Sequence, residues 1–165
     1  MNKHRTIIFF SVCFIAPFLS ALLFLGSGWN PNQTINKGML LTQDVKIEHW
    51  QETDRKLWSI AIIAPNECST QCSQYLHAAK QVHLALGKKS ENVDVVLLSE
   101  GDVAIESASV VKTPLTNLHE GSVYLIDHMG LVVLQYPLNG QAHQEVIFKG
   151  LYTDIKKLLN YARSS

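Results

Sequence analysis

Two cysteines separated by three residues, Cys68 and Cys72, are the side chains of this sequence best suited to chemistry. They lie between a strand-like apolar run, residues 57–64, and a helix-like stretch, residues 73–86. Thiols at the start of a helix face free backbone N–H groups and the positive end of the helix dipole, which lower thiol pKa values. The pair could therefore bind a soft metal ion, exchange a disulfide with a partner, or form a permanent disulfide.

The spacing of the two cysteines bears on these alternatives. Residues at i and i+4 of a helix have Cβ atoms about 5–6 Å apart, whereas a relaxed disulfide needs about 3.5–4.5 Å. A disulfide between Cys68 and Cys72 therefore requires the loop before the helix to adjust. Two thiolates that bind one ion fit this spacing with less distortion, and thiolates select Cu(I) or Zn(II) over hard cations. The spacing also differs from the C-x-x-C redox motif.

The elements that would position the cysteines are indicated by the hydrophobic pattern. Residues 57–64 and 93–98 are predicted strands on either side of the predicted helix, and a β-α-β order implies parallel strands with a right-handed crossover. Residues 122–126 and 131–136 form a predicted hairpin around a glycine-containing turn, and a final helix covers residues 151–162. The order β-α-β, then a connection, then β-β-α predicts an α/β fold with a thioredoxin-like domain.

Two other segments have less regular patterns. Residues 26–49, rich in Asn, Gln, Gly and Thr, are interpreted as a tether with a short strand near residues 38–41. Residues 103–111 are interpreted as a short helix. The thioredoxin-like domain is accordingly predicted to cover residues 50–165.

A metal held by two thiolates usually needs a third ligand, and the chain has seven histidines. His119 directly precedes the predicted third strand, where a thioredoxin fold brings the chain back beside the start of the first helix. His128 lies in the hairpin turn at the opposite end of that strand, so only one of the two can be near the cysteines. We favour His119 as the third ligand. The others are interpreted as polar surface side chains: His4, His49, His77, His83 and His143.

An uncharged apolar segment, residues 7–25, precedes the tether. As a helix it would be roughly 28 Å long, close to the hydrocarbon thickness of a bilayer. We interpret it as an uncleaved transmembrane anchor, because it is longer than the apolar core of a signal peptide. Lys3 and Arg5 precede it, so the positive-inside rule places residues 1–6 in the cytoplasm. In a bacterium this predicts a single-pass inner-membrane protein with its C-terminal domain in the periplasm.

The third cysteine and the overall charge limit the alternatives. Cys13 lies inside the apolar segment and is interpreted as a small apolar filler. Cys68 and Cys72 are then the only thiols outside the membrane, in a compartment where disulfides form. The chain has 14 Lys and Arg residues against 14 Asp and Glu residues and contains no basic run, so nucleic acid is not expected as a partner.

The residues around the cysteines resemble the SCO/SenC family. The chain has C-S-T-Q-C after an apolar strand, His119 five residues before Tyr124, and a glycine-containing hairpin. SCO/SenC proteins are membrane-anchored thioredoxin-fold proteins that bind copper through a C-x-x-x-C pair and one distal histidine, and they help assemble the CuA site of cytochrome c oxidase. The resemblance implies copper ligation by Cys68, Cys72 and His119. It implies a cytochrome c oxidase subunit or another copper-assembly factor as the partner, with the membrane contacted through the anchor.

The layout also resembles small membrane-anchored proteins encoded beside oxidase assembly factors. The segments that carry this likeness are residues 28–29, 36–41, 81–88 and 124–127. Two positions depart from the SCO/SenC pattern. Ser73 stands where those proteins have proline directly after the second cysteine, and Asn-Leu precedes His119 where they usually carry aspartate.

Three functions remain in competition. The first is a copper-binding assembly factor. The second is a thiol–disulfide oxidoreductase, in which Cys68 attacks and Cys72 resolves; against it, Pro114 lies nine residues upstream of Val123 and no proline stands immediately before the third strand. The third is a non-catalytic, membrane-tethered interaction module with a structural disulfide.

Overall fold

The chain has two compact units, residues 1–35 and 36–165. The structure is a computed structural model, and it describes residues 3–26, 36–50, 55–64, 66–103, 105, 108–138 and 144–161.

The described part of the first unit is the helix α1 (Lys3–Gly26), which includes Pro17. The stretch Lys3–Leu23 is long and apolar enough to cross a membrane, with a mean hydropathy of 2.4. The predicted span, residues 7–25, lies inside α1, and the helix begins four residues earlier. Cys13 is a free cysteine on this helix, with an exposed side chain.

The described residues of the second unit form a mixed six-stranded sheet and two α-helices. Its sheet order is β1-β6-β5-β2-β3-β4, with β2, β3 and β4 parallel and the other pairs antiparallel. The strands are β1 (Met39–Leu40), β2 (Trp58–Ile63), β3 (Val93–Ser99), β4 (Ser109–Lys112), β5 (Ser122–Asp127) and β6 (Val132–Pro137). The helices are α2 (Thr70–Ala85), a 3₁₀ helix (Gly87–Asn92) and α3 (Gln144–Tyr161). This arrangement confirms the predicted thioredoxin-like α/β fold.

The two faces of the sheet are covered differently. Alternate residues of a strand point to opposite faces, and in β2 Ile60 and Ile62 pack in the cluster that includes residues of α2 and α3. Ala61 and Ile63 pack in a second cluster, which contains Trp50 but no residue of either helix. Both faces of β2 are therefore buried, as its nearly continuous apolar sequence predicts.

Part of the predicted tether belongs to the domain. The short strand predicted near residues 38–41 is confirmed by β1, which pairs with β6. Ile47 and Trp50 are only 3% and 2% exposed, because they cover the sheet face that carries no helix. The compact unit begins at Asn36 and not at residue 50. Residues 27–35 of the predicted tether lie outside the described part of the chain.

The short helix predicted for the connection before the hairpin, over residues 103–111, is wrong where it can be compared. Residues 109–112 form β4, which pairs in parallel with β3. Val110 and Val111 are β-branched residues that fit a half-buried sheet edge. Residues 104, 106 and 107 lie outside the described residues.

The helix boundaries also differ from the prediction. Helix α2 begins at Thr70, three residues earlier than predicted, and α3 begins at Gln144, seven residues earlier. The predicted end of the last helix, at residue 162, lies just past the last described residue.

Candidate functional site

The two cysteines flank the N-cap of α2. Ser69 is the N-cap residue, and its Oγ accepts a hydrogen bond from the backbone N–H of Cys72 at 3.2 Å. Its carbonyl oxygen accepts the first helical hydrogen bond, from the N–H of Ser73, at 2.9 Å. Cys68 therefore precedes the helix, whereas Cys72 lies in its first turn, where backbone N–H groups favour a thiolate.

Cys68 and Cys72 are joined by a disulfide, with their Cα atoms 5.2 Å apart. This distance lies within the range of about 4.4–6.8 Å that is usual for disulfides. The distance of about 5–6 Å between Cβ atoms assumed helical i, i+4 geometry, which does not hold for Cys68 because this residue precedes the helix. Ser69 has ψ of 169°, far from the helical value, so the chain bends at the cap and brings Cys68 over the first turn. This bend is the loop adjustment that a disulfide at this spacing requires.

The two sulfur-bearing residues differ in exposure. Cys72 is 6% exposed and packs in the helix-facing core with Tyr75 and Leu76. Cys68 is half-buried, and its Sγ lies 3.8 Å from the hydroxyl oxygen of Ser73. An incoming sulfur nucleophile can therefore approach Cys68 more readily than Cys72.

A cleft of about 510 Å³ opens beside Cys68. Its lining residues come from the loop before α2, from α2 itself, and from Asp102, Val103 and Ile105 between β3 and β4. Its lining residues are Asn66, Glu67, Cys68, Ser73, Leu76, His77, Lys80, Asp102, Val103 and Ile105.

His119 lies at the same end of the sheet as the cysteines. Val123 of β5 pairs with Ile62 of β2, so β5 begins beside the carboxyl end of the strand that leads to Cys68. The backbone N–H of His119 donates a hydrogen bond to the Tyr124 hydroxyl at 2.8 Å, while its side chain is exposed. No group of three His, Cys, Asp or Glu side chains in the described ranges is close enough together to hold a metal ion.

His128 lies at the other end of the sheet, as expected from its place in the hairpin turn. Asp127 pairs with Trp58, the first residue of β2. The Asp127 carboxylate accepts hydrogen bonds from the N–H groups of Met129 and Leu131, at 2.8 and 2.9 Å, and so fixes the turn. His128 is exposed there.

Two histidines interpreted as polar surface side chains have further contacts, although His77 is exposed as expected. His77 lines the cleft beside Cys68. His83 is half-buried, and its Nε2 lies 2.9 Å from the carbonyl oxygen of Val93, which connects the end of α2 to β3. The helical spacing of Ser73, His77 and Lys80 is the sequence signal that could have placed His77 on the same face as the cysteines.

A buried carboxylate, Asp154 of α3, was not identified from the sequence. Its Oδ2 accepts hydrogen bonds from the backbone N–H groups of Lys37 and Gly38, at 2.7 and 2.9 Å, and from the Tyr136 hydroxyl at 2.9 Å. Burial, and then the charge of Asp154, raise the pKa of Tyr136 above its ordinary value. A Cβ at Gly38 would come within 2.6 Å of the Tyr136 ring, so only glycine fits there. An aspartate within the apolar face of the last helix was the available signal.

Strand order, the parallel β-α-β unit and a cysteine pair at a helix N-terminus together define a thioredoxin-like domain. The sequence model of a family described as "Transmembrane-like, thioredoxin-like, C-terminal domain" matches residues 58–122, from β2 to the first residue of β5. That description and the apolar helix α1 together indicate a membrane anchor. Neither the curated proteins nor the solved structures give a significant match to the chain.

Proposed function

We propose that this protein is a membrane-anchored thiol–disulfide exchange protein whose domain acts in the periplasm. The observation that carries the proposal is the unequal burial of one disulfide at a helix N-terminus: Cys68 is half-buried beside a cleft, and Cys72 is 6% exposed. The basic residues before α1 and the near-absence of basic residues in the segment after it support the periplasmic orientation.

The exchange would begin at Cys68. A thiolate of a dithiol partner attacks Cys68 Sγ, the Cys68–Cys72 bond breaks, and its electron pair goes to Cys72 Sγ, which the helix N-terminus stabilises as a thiolate. The second partner thiolate then attacks the partner's own sulfur in the mixed disulfide and releases Cys68 as a thiolate. The partner leaves as a disulfide, and this protein, reduced by two electrons, takes up protons on both thiolates. In the reverse direction Cys68 attacks a partner disulfide and Cys72 resolves the intermediate.

A purely structural disulfide is the less supported alternative. In the chain-entropy treatment, closing a loop as short as residues 68–72 stabilises a fold by only about 2 kcal/mol. A half-buried sulfur next to a cleft adds nothing to such a role, whereas exchange requires it.

A second function, copper binding in the reduced state, is supported by the SCO/SenC resemblance and by one structural observation. His119 lies at the same end of the sheet as Cys68 and Cys72. We propose that the two thiolates and His119 bind Cu(I), a soft ion that thiolates favour. The protein would then deliver copper to, or reduce the thiols of, a cytochrome c oxidase subunit or another copper-assembly factor during assembly of the CuA site.

The exchange proposal is tested on the full chain in nonionic detergent. The oxidised protein is equilibrated with graded ratios of reduced and oxidised dithiothreitol. Free thiols are then blocked with an alkylating reagent, and the fraction of alkylated protein is measured by mass spectrometry. We expect a reversible two-electron transition that disappears in Cys68→Ser and Cys72→Ser. A disulfide that stays oxidised in excess dithiothreitol while the fold is intact would contradict the proposal.

The copper proposal is tested by titrating the reduced full chain with Cu(I) in competition with a chelator. We expect about one copper per chain, loss of binding in Cys68→Ala and Cys72→Ala, and weaker binding in His119→Ala. His128→Ala is the matched control and should bind as the unmodified protein does. Failure of the reduced protein to take up copper would rule this function out, and equal binding by both histidine variants would remove His119 from the ligand set.

A further inference from the structure

The cleft beside Cys68 is lined mostly by polar and charged side chains, together with three apolar ones. Leu76 is 5% exposed, and Val103 and Ile105 are half-buried against the same core. Glu67 lies at the end nearest Cys68, and Lys80 lies further along α2. A concave site in which polar and charged side chains surround a few apolar ones can orient a ligand through those polar groups.

Among the residues that the structure describes, not every charged side chain that lines the cleft has an ion-pair partner. The carboxylate of Asp102 is 2.9 Å from Lys112 Nζ, so this charge has a partner. Neither Glu67 nor Lys80 forms an ion pair with any residue that the structure describes. Lys80 is half-buried and lines the cleft. An anionic group from a second molecule would therefore be attracted to that position.

Helix geometry gives the distance between Lys80 and the disulfide along α2. Ser73 contacts Cys68 Sγ, and Lys80 follows it seven residues later on the same side of α2. Seven residues of α-helix correspond to about 10 Å along the axis. An extended peptide advances about 3.3 Å per residue, so the same distance corresponds to about three peptide residues.

We propose that this cleft binds an extended peptide segment of the partner and selects an acidic residue about three positions from the reacting cysteine. The partner cysteine meets Cys68, the intervening side chains lie over Leu76 and Val103, and the carboxylate pairs with Lys80. Glu67 disfavours a second acidic residue directly beside the reacting cysteine. This inference rests on the proposed exchange function and assigns the substrate class of the same site.

The test uses short peptides, each with one cysteine and either Glu, Gln or Lys at the third position on both sides. The oxidised full chain in nonionic detergent is mixed with each peptide, quenched with acid, and the mixed disulfide at Cys68 is quantified by mass spectrometry. We expect the Glu peptide to react about two- to five-fold faster than the Lys peptide at low salt, the range that a partly screened ion pair produces. The preference should decrease as salt is added.

Charge variants of α2 and its following turn make the test specific. Lys80→Gln should remove the preference, and Lys80→Glu should reverse it in favour of the Lys peptide. Lys88→Glu makes the same charge change in the 3₁₀ helix, outside the cleft, and should leave the preference unchanged. A given peptide has the same thiol pKa in every assay. The ratio of its reaction rates with two protein variants therefore reports only the change in the cleft.

Uncharged 2-mercaptoethanol separates failure of this inference from failure of the exchange function. If 2-mercaptoethanol reacts at Cys68 but Lys80→Glu shows the same peptide preference as the unmodified chain, the cleft assignment is wrong and the exchange function stands. If neither 2-mercaptoethanol nor any peptide forms a mixed disulfide with the folded protein, both proposals are overturned.

Discussion

At the scale of single residues, the proposed exchange function depends on the difference between two sulfur atoms. Cys68 precedes the helix and is half-buried, while Cys72 lies in the first turn and packs in the core. The sequence identifies both residues and their place at a helix start, because thiols after an apolar strand form a local pattern. It does not reveal their unequal burial, which depends on packing with residues of the helix and sheet.

The first prediction concerns which cysteine forms the mixed disulfide. Cys72→Ser, once reduced, should form a stable mixed disulfide with a disulfide-containing peptide, because no second thiol is present to resolve it. Cys68→Ser should react much more slowly, since its remaining sulfur is buried. Non-reducing electrophoresis and mass spectrometry of both full-length variants measure this. Equal trapping by the two variants would show that burial does not direct the attack.

The second prediction concerns the buried carboxylate. Asp154→Ala leaves the N–H groups of Lys37 and Gly38 and the Tyr136 hydroxyl without their acceptor, and should lower the free energy of unfolding by about 3 kcal/mol. Thr153→Ala is the matched control, with an expected cost of about 0.5 kcal/mol or less. Urea unfolding of the full chain in nonionic detergent measures both. Similar urea midpoints for the two variants would mean that the hydrogen bonds from Lys37 and Gly38 to Asp154 do not stabilise the domain.

At the scale of elements, the long strands and the short strand β1 were predictable, whereas the short strand β4 was not. The strands on either side of α2 and the hairpin β5–β6 have clear apolar patterns and lie within a residue or two of their predicted bounds. The strand β4 has four residues and follows β3 through an irregular connection, so its pairing with β3 decides its conformation. Propensity over so short a window cannot outweigh such pairing.

The third prediction concerns the N-cap that separates the two cysteines. Ser69→Ala removes the acceptor for the Cys72 N–H and should destabilise the oxidised domain by about 1 kcal/mol. Gln74→Ala, on the exposed side of the same helix, is the control and should be close to neutral, because glutamine and alanine are both good helix formers. Urea unfolding of both variants with the disulfide intact compares them. If Ser69→Ala leaves the free energy of unfolding unchanged, the disulfide alone stabilises the N-cap.

At the scale of the whole molecule, the domain begins earlier than its sequence pattern indicates. Residues 36–50 show no period, yet they add a strand to the sheet and provide Ile47 and Trp50 for the face that carries no helix. Ile47 and Trp50 lie in an irregular segment, so their burial produces no periodic hydrophobic pattern in the sequence. The strand near residues 38–41 was predicted from the sequence, but the packing of Ile47 and Trp50 against the sheet was not.

The fourth prediction follows from this boundary. A fragment of residues 36–165 should fold as a soluble domain, whereas a fragment of residues 50–165 should lose fixed packing. The shorter fragment lacks β1, Ile47 and the two backbone N–H groups that bond to Asp154. Near-ultraviolet circular dichroism and amide chemical-shift dispersion compare the fragments. Equally well-dispersed spectra would show that residues 36–49 are dispensable for the fold.

Because the two sulfurs are unequally buried, a thiol reagent should label the reduced protein selectively at Cys68 in living cells. A charged maleimide that does not cross lipid should add rapidly to Cys68 once the disulfide is opened, while Cys72 is shielded and Cys13 belongs to an apolar helix. One added mass per chain would then count the reduced copies that face the outer side of the membrane. The same measurement on whole cells and on lysed cells would report both membrane orientation and redox state.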